Sequence, residues 1–564
     1  MKHYQPRTAD MAFVFTQVLN APAQLGALAP FAEVDADLMQ QVLDESGKFV
    51  GEVVAPLNRG GDEVGAQWAD GRVTMPPGFR DAYQSFWQSG WPALACATED
   101  GGQGLPAVLE ATLYEMLSAA NHGWTMAPGL LHGAYECLKH HGSAELKARY
   151  LEKLATGEWL ATMCLTEPHA GSDLGLVRTK ATPQPDGSYQ LNGTKIFISG
   201  GEHDLTDNIV HLVLARLPDA PPGPKGLSLF LVPKLYDDGS RSDVHCERIE
   251  EKMGLHGSPT CVMRFDDATG WLVGEPGKGL GAMFVMMNAA RLHVALQGIG
   301  LLDAAWQKAD AYAQERRQMR APGRSKSSAE ADPISEHPAM RRILDTQRAW
   351  IDGGRVLAYT TAVELDVLKH HADPQRREAA QRWCALVTPV IKAAFTHQAF
   401  YGGSECLQVF GGHGYVREWG IEQHVRDARV AMIYEGTNEI QAIDLLVRKV
   451  LADGGASLAV LLTSLAAEVP ADTGVAQRFA QLNAVTAQLA EAAGRDAALP
   501  YWVADDYLRA VTVALMGWAG ARVRAALTPD TPDLQARWQQ PLAALAHWIL
   551  PEFDMRLAII KARL

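Results

Sequence analysis

Several patterns are missing from this 564-residue chain, and each absence closes off a class of protein. Its seven cysteines (Cys96, Cys137, Cys164, Cys246, Cys261, Cys384, Cys406) form no C-x-x-C pair and no regular framework. That spacing argues against a disulfide scaffold and reads as scattered reduced thiols in a reducing compartment. The 18 histidines are equally scattered, and His140-His141 and His370-His371 are adjacent rather than spaced to share one metal-facing side, so no metal site is expected. No apolar run is expected to reach the length of a membrane span, so stable membrane insertion is not expected. The opening Met1-Lys2-His3-Tyr4-Gln5-Pro6-Arg7 lacks the apolar core of a signal peptide. These features predict a cytoplasmic protein, although an organelle matrix protein stripped of its presequence would read the same way. Positive charge is also in short supply: 51 Lys and Arg against 65 Asp and Glu leave a net charge of -14. A general nucleic-acid binder needs a basic face, so no nucleic-acid partner is expected. There is no internal repeat and no low-complexity tract.

What is present is an ordinary hydrophobic share of 47% in a chain long enough for several domains. Residues 1–35 read as a lead-in with a short amphipathic helix over Asp10 to Leu19. Residues 36–159 read as helical, with patterns at Asp37 to Val54, Pro77 to Gln88, Ala107 to Ala120 and Ser143 to Thr156. The period changes near residue 160. Leu160 to Leu165, Ile209 to Ala215, Leu227 to Val232 and Cys261 to Phe265 read as strands, and Asn192-Gly193 within Tyr189 to Ser199 reads as a tight hairpin turn. A small β-barrel or sandwich over 160–280 follows. Helical periodicity returns over 281–452, with Ala282 to Arg316, Pro338 to Lys369 and Gln375 to Tyr401 predicting a helical bundle and a polar surface loop at Gly323 to Ala331. Residues 453–564 read as a further helical layer, in which Gly517, Ala519 and Gly520 permit close helix contact. The fold class is therefore α+β, mainly α.

Two stretches carry chemistry. In Ile433-Tyr434-Glu435-Gly436-Thr437-Asn438-Glu439-Ile440-Gln441 a carboxylate sits between apolar neighbours and a glycine, at the junction of two helical patterns. A carboxylate held against apolar walls has its charged form disfavoured, so its pKa rises toward that of a useful base. Gly436 lets the backbone turn, and Thr437 or Asn438 can cap the next helix. The second stretch, Met163-Cys164-Leu165-Thr166-Glu167-Pro168-His169-Ala170-Gly171-Ser172-Asp173, ends a strand in a Gly- and hydroxyl-rich loop that offers donors to a phosphate or a heterocycle edge, or is an ordinary β-turn. A Rossmann site is excluded, because the glycines at Gly411 to Gly414 follow a helix rather than a strand.

The order of these motifs resembles the acyl-CoA dehydrogenase family of flavoproteins over about residues 35 to 452. Gly90-Trp91-Pro92 with Glu99 to Gly104, Thr166 to Asp173, the Lys195-Ile196-Phe197-Ile198-Ser199 strand and the Glu435 turn occur in the family's order. The lead-in, the polar insert and the C-terminal extension are similar to the larger bacterial branch that includes 3-methylthiopropionyl-CoA dehydrogenases. The resemblance implies an FAD-dependent dehydrogenation of an acyl-CoA to a trans-2-enoyl-CoA, with Glu435 as the base and flavin as hydride acceptor. It implies FAD contacts from Met163, Cys164, Leu165, Thr166, Ser172, Phe197, Ile198, Ser199, Arg316, Gln408, Gly411, Gly412, Thr437, Asn438 and Glu439. Phe197 and Ser199 stand where the family often has Trp and Thr; Phe keeps a stacking face but loses the indole donor. Arg316 and the Gln408 to Gly412 segment are implied to reach a neighbouring subunit's FAD. Ser172, Arg291 and Gly436 are implied substrate contacts. An electron-transfer flavoprotein as oxidant and a homo-oligomer, a dimer in preference, complete the implied partners. The alternatives are an acyl-CoA oxidase that reduces O₂ and a flavin-retaining nucleic-acid-binding relative with little activity.

Overall fold

The structure, a computed structural model, describes residues 3–323, 330–528 and 532–564, with residue 288 described by its backbone alone. The loop expected at 323–331 therefore lies mostly outside the described residues. The chain divides into two compact units: Phe49–Leu105 with Asn121–Ala290, and Met1–Lys48 with Pro106–Ala120 and Arg291–Leu564.

The first unit holds the sheet. Strands β1 (Gln67–Ala69) and β2 (Arg72–Thr74) form a small hairpin in a region expected to be helical. Asp70 and Gly71 both have positive φ at its turn, the Asp-Gly geometry that favours hairpins over a continuing helix. The larger sheet contains β3 (Leu160–Cys164), β4 (Lys180–Pro183), β5 (Tyr189–Ser199), β6 (Ile209–Arg216), β7 (Leu227–Pro233), β8 (Val244–Ile249) and β9 (Thr260–Val273). Its order is β3-β6-β4-β5-β9-β7, and β7 also pairs with β6, so the ladder returns on itself as in a barrel. Strands β6 and β7 are buried along almost their whole length, which is why they read as unbroken Val/Leu runs.

The Asn192-Gly193 turn expected from the sequence is not formed. Both residues lie inside the continuous strand β5, and the turn falls instead between β4 and β5, around Gly187. Asn192 uses its side chain across the sheet, donating to Asp267 Oδ1 at 2.7 Å and accepting from the Asp267 amide at 3.0 Å. Gly193 is required for close approach: a Cβ there would lie 2.4 Å from Thr179 Oγ1. The Asn-Gly pair served a bulge and a tight interstrand contact, which the dipeptide alone does not distinguish from a turn.

Helix α1 (Gly279–Glu315) begins in the first unit and continues through the second. Contrary to the expectation from the sequence, it is long and apolar enough to cross a membrane by length and composition, but 59% of its most apolar window is buried in the protein, the environment of a core helix. In the second unit it packs with α2 (Pro338–His370) and α3 (Pro374–Val409). At Gly298 the α1 backbone comes so close to α3 that an added Cβ would sit 2.5 Å from the Phe395 carbonyl oxygen. Beyond the bundle lie the short α4 (Asn438–Ile443), the long buried α5 (Leu499–Ala526) and an additional helix Ala456–Ala467 that the sequence reading omitted. The N-terminal lead-in belongs to this same unit: Met11, Val14 and Phe15 have no exposure, and Asp10 pairs with Arg348 and, at 3.0 Å, with Arg537.

Candidate active site

The turn after the short helical segment Val430–Met432 is built around two consecutive left-handed residues. Glu435 has φ of 56° and Gly436 of 83°. For a non-glycine residue this costs on the order of 1 kcal/mol, so the surroundings must hold it. Gln441 does so from α4, its Nε2 donating to the Glu435 carbonyl at 3.0 Å. Position 436 has no room for a side chain, since a Cβ would meet the same Gln441 nitrogen at 2.7 Å. Thr437 caps α4 as expected, its Oγ1 accepting from the Ile440 amide at 3.3 Å. Tyr434, just before the carboxylate, donates its hydroxyl to Gln297 Oε1 of α1 at 2.6 Å.

Asn438 is buried and fully engaged. Its Oδ1 accepts from Lys392 Nζ and from Thr396 Oγ1, each at 3.1 Å, and its Nδ2 donates to the Ala393 carbonyl at 3.2 Å. Lys392 also donates to the Gly436 carbonyl at 2.7 Å. The tip of the turn is thus fastened to α3 on one side and to α1 on the other.

Electrostatics follow from this placement. Burial pushes the Glu435 carboxyl from 4.5 up to about 7, against the opposing pull of Arg291 and Lys392. Burial lowers Lys392 to about 7, Glu435 and Glu439 pulling it upward and Arg291 adding to the depression. Arg291 also lies 3.7 Å from Asp444, which in turn is 3.1 Å from Lys449. A half-buried carboxyl poised near neutrality is suited to accept a proton.

In the same unit, Arg316, Gln408, Gly411 and Gly412 line one cavity of about 530 Å³, together with Tyr312 and His413. Four of the residues singled out in the sequence are therefore brought to one place. Gly411, at φ 59°, and Gly412 have open space where a side chain would project, and Arg316 is exposed and makes no ion pair among the described residues. An unpaired guanidinium beside bare backbone amides in a roomy cavity fits the anionic and adenosine end of a dinucleotide such as FAD.

In the sheet unit, Met163 and Cys164 end β3 with buried side chains, whereas Leu165 and Thr166 are half-exposed. Strand β5 lies beside them, the Ile196 amide donating to the Thr166 carbonyl at 2.9 Å. A bulge between Lys195 and Ile198 puts Phe197 at φ 60° with 60% of its surface exposed, while Ile198 is buried and Ser199 half-exposed. An exposed aromatic held in a strained bulge fits a face against which a flat ring can stack. Ser172 is exposed in the loop that follows, and Glu439 is exposed at the start of α4.

Sequence reasoning missed the groups that hold these turns. Lys195 has no exposure and ties the β3 loop down through Leu165 O at 3.0 Å and Glu167 Oε1 at 2.9 Å. Lys392 and Gln441 do the same for the Glu435 turn. A signal existed: Lys392 stands inside the apolar run Val390-Ile391-Lys392-Ala393-Ala394-Phe395, where a solvated lysine has no place.

Three family profiles match the sequence: the acyl-CoA dehydrogenase N-terminal domain over residues 39–158, the middle domain over 162–268 and the C-terminal domain over 277–450. The 3-methylmercaptopropionyl-CoA dehydrogenase of Ruegeria pomeroyi is 43% identical over 96% of this chain and 91% of its own length. A butyryl-CoA dehydrogenase of Syntrophomonas wolfei is 34% identical over 79% and 76%. Among solved structures, butyryl-CoA dehydrogenase from Megasphaera elsdenii aligns with TM-score 0.60 and 26% identity over 75% of this chain and 98% of that one. Caenorhabditis elegans ACDH-11, solved with C11-CoA, aligns with TM-score 0.72 and 21% identity over 93% and 90%, a likeness of fold that extends over the C-terminal helices. FAD is the cofactor of this family, and the chain belongs to it: the protein is an acyl-CoA dehydrogenase, an oxidoreductase.

Proposed function

We propose that this protein converts an acyl-CoA thioester to its trans-2-enoyl-CoA, with Glu435 removing the α-proton. The observation that carries this reading is the Glu435 turn: a left-handed, half-buried carboxyl raised to about 7, with Arg291 and Lys392 facing it. A thioester α-proton is weakly acidic, so its removal needs a desolvated base and a polarised carbonyl. The carboxyl accepts the proton at its oxygen, and the backbone amide of the same residue is the donor assigned to the thioester carbonyl. Gln441, Asn438 and Lys392 fix the backbone that presents both groups. Bound FAD supplies the acceptor for the β-hydride.

Met163 to Thr166 and Phe197 to Ser199 are assigned to the flavin ring, Thr437 to Glu439 to its diphosphate, Arg316 to the FAD phosphate of a second copy in a homodimer, and Gln408, Gly411 and Gly412 to the adenosine end of that same FAD. Ser172 and Gly436 are assigned to the substrate together with Arg291. An electron-transfer flavoprotein is the proposed oxidant. The likeness to the Ruegeria pomeroyi enzyme over nearly the whole chain makes 3-methylthiopropionyl-CoA the first substrate to test.

The test is anaerobic addition of acyl-CoAs of graded length, including 3-methylthiopropionyl-CoA, to the yellow holoprotein. Bleaching of the flavin band that disappears in Glu435→Gln supports the assignment. Bleaching at the wild-type rate in that variant assigns the base elsewhere.

A further inference from the structure

Helix α3 places a cation in the core directly behind the proposed base. Lys392 is flanked by buried Val390, Ile391, Ala393 and Ala394, and its side chain has no exposure. An ammonium so placed has lost its hydration and needs partners. It has two, Gly436 O at 2.7 Å and Asn438 Oδ1 at 3.1 Å, both on the turn that follows Glu435. It makes no ion pair among the described residues. A cation that gives its hydrogen bonds to neutral oxygens, with no carboxylate in contact, adds little to stability that an apolar side chain would not. Its location is what distinguishes it: both acceptors lie within three residues of Glu435, and the Gly436 carbonyl belongs to the second of the two left-handed residues.

We propose that Lys392 is a positioning residue for the dehydrogenation, holding the left-handed Glu435–Gly436 backbone through the Gly436 carbonyl and Asn438 and, in its protonated form, placing a positive charge behind the carboxylate. This rests on Glu435 being the base. The groups facing the carboxylate are Lys392 from α3 and Arg291 from α1, the latter shared with Asp444, whose other neighbour is Lys449. On the turn itself, Tyr434 and Glu439 border the pair, and Asp505 of α5 faces Glu439. Of the two cations facing the carboxylate, Lys392 is the one that donates to the backbone of the turn, at the Gly436 carbonyl, beside the neutral donor Gln441.

Two variants of the full-length holoprotein separate charge from shape. Lys392→Met keeps a linear apolar stem and removes both the charge and the donors; kcat falls roughly tenfold or more with KM little changed, and the acid limb of the pH–rate profile moves up by about one pH unit, because an opposing charge has been taken away from the carboxylate. Lys392→Arg keeps the charge but not the compact ammonium geometry, so kcat falls while the acid limb stays in place. Circular dichroism, the thermal transition and flavin content are read beside the kinetics. An acid limb unmoved in Lys392→Met, or loss of folding in both variants, overturns the proposal and makes the lysine a core residue only. Glu435→Gln serves as the control: if it retains activity the base assignment itself has failed, whereas an inactive Glu435→Gln with a wild-type-like Lys392→Met defeats this inference alone.

Discussion

The side-chain amide of Gln441 donates to the carbonyl oxygen of Glu435 at 3.0 Å and lies 3.4 Å from the Gly436 carbonyl. One side chain from the first turns of α4 therefore holds both left-handed residues of the preceding turn. Gln441 has no exposure, so replacing it by leucine leaves the carbonyls of two half-buried residues without this donor. Gln441→Leu is expected to lose about 1–3 kcal/mol of stability in a denaturant titration. Its kcat is expected to fall roughly tenfold, because the carboxyl is no longer fixed within the fraction of an ångström that proton transfer needs.

Glu435 also makes stability depend on pH. Its carboxyl is raised from 4.5 to about 7, so the folded state holds the proton more tightly than the unfolded chain does. Below about pH 4 the group is protonated in both states and contributes no difference; as pH rises through the window between the two values the folded state loses stability, and above about pH 7 the loss is complete. Glu435→Gln removes this penalty. Thermal unfolding is expected to show the variant more stable than wild type at about pH 8 and indistinguishable near pH 4. Wild-type kcat/KM is expected to fall on the acid side of about pH 7, where the base is protonated.

A second carboxylate–cation cluster has a different role. Arg355, Glu115 and Asp303 have no exposure; Arg355 reaches Glu115 at 2.7 Å and Asp303 at 2.9 Å, and Glu115 also accepts from the Tyr359 hydroxyl at 2.5 Å. Removing the cation takes from two buried carboxylates the guanidinium they share. Arg355→Met is expected to cost about 3–5 kcal/mol, read as a lower denaturant midpoint. The double variant that also carries Glu115→Gln is expected to recover part of that loss.

The close approach of α1 to α3 is sensitive to a single methyl group. A Cβ on Gly298 would fall 2.5 Å from Phe395 O and 2.9 Å from Thr396 N, backbone atoms that cannot move alone. Gly298→Ala is expected to destabilise by about 1–3 kcal/mol. Because Thr396 and Lys392 lie on the displaced helix and hold Asn438, the variant is also expected to lose kcat beyond what its unfolded fraction explains.

Arg316 faces the 530 Å³ cavity without an ion pair among the described residues. If it binds the FAD diphosphate, Arg316→Ala weakens FAD roughly tenfold or more, measured as flavin released on dilution or in added salt. An unchanged flavin content would remove the arginine from the cofactor site.

The main helices were readable because their apolar stripes run for many turns: α1 and α2 were expected within a few residues of their ends, and β3, β6 and β7 stood out as short apolar runs. The Asn192-Gly193 pair shows where local reading stops. A dipeptide that prefers positive φ specifies a backbone shape, not whether a strand turns there or bulges to admit Thr179.

By itself the sequence determined the order of helical and β segments, the nature of the Glu435 turn and the family motifs, since each of these is written in neighbouring residues. Only the tertiary structure decided which distant groups complete the site. It set Lys392 beneath Gly436, 44 residues away, gathered Arg316 and Gly411 around one cavity and raised the pKa of Glu435 by burial. Desolvation and charge pairing depend on what surrounds a group in space, and that is fixed by packing between segments rather than by the residues on either side.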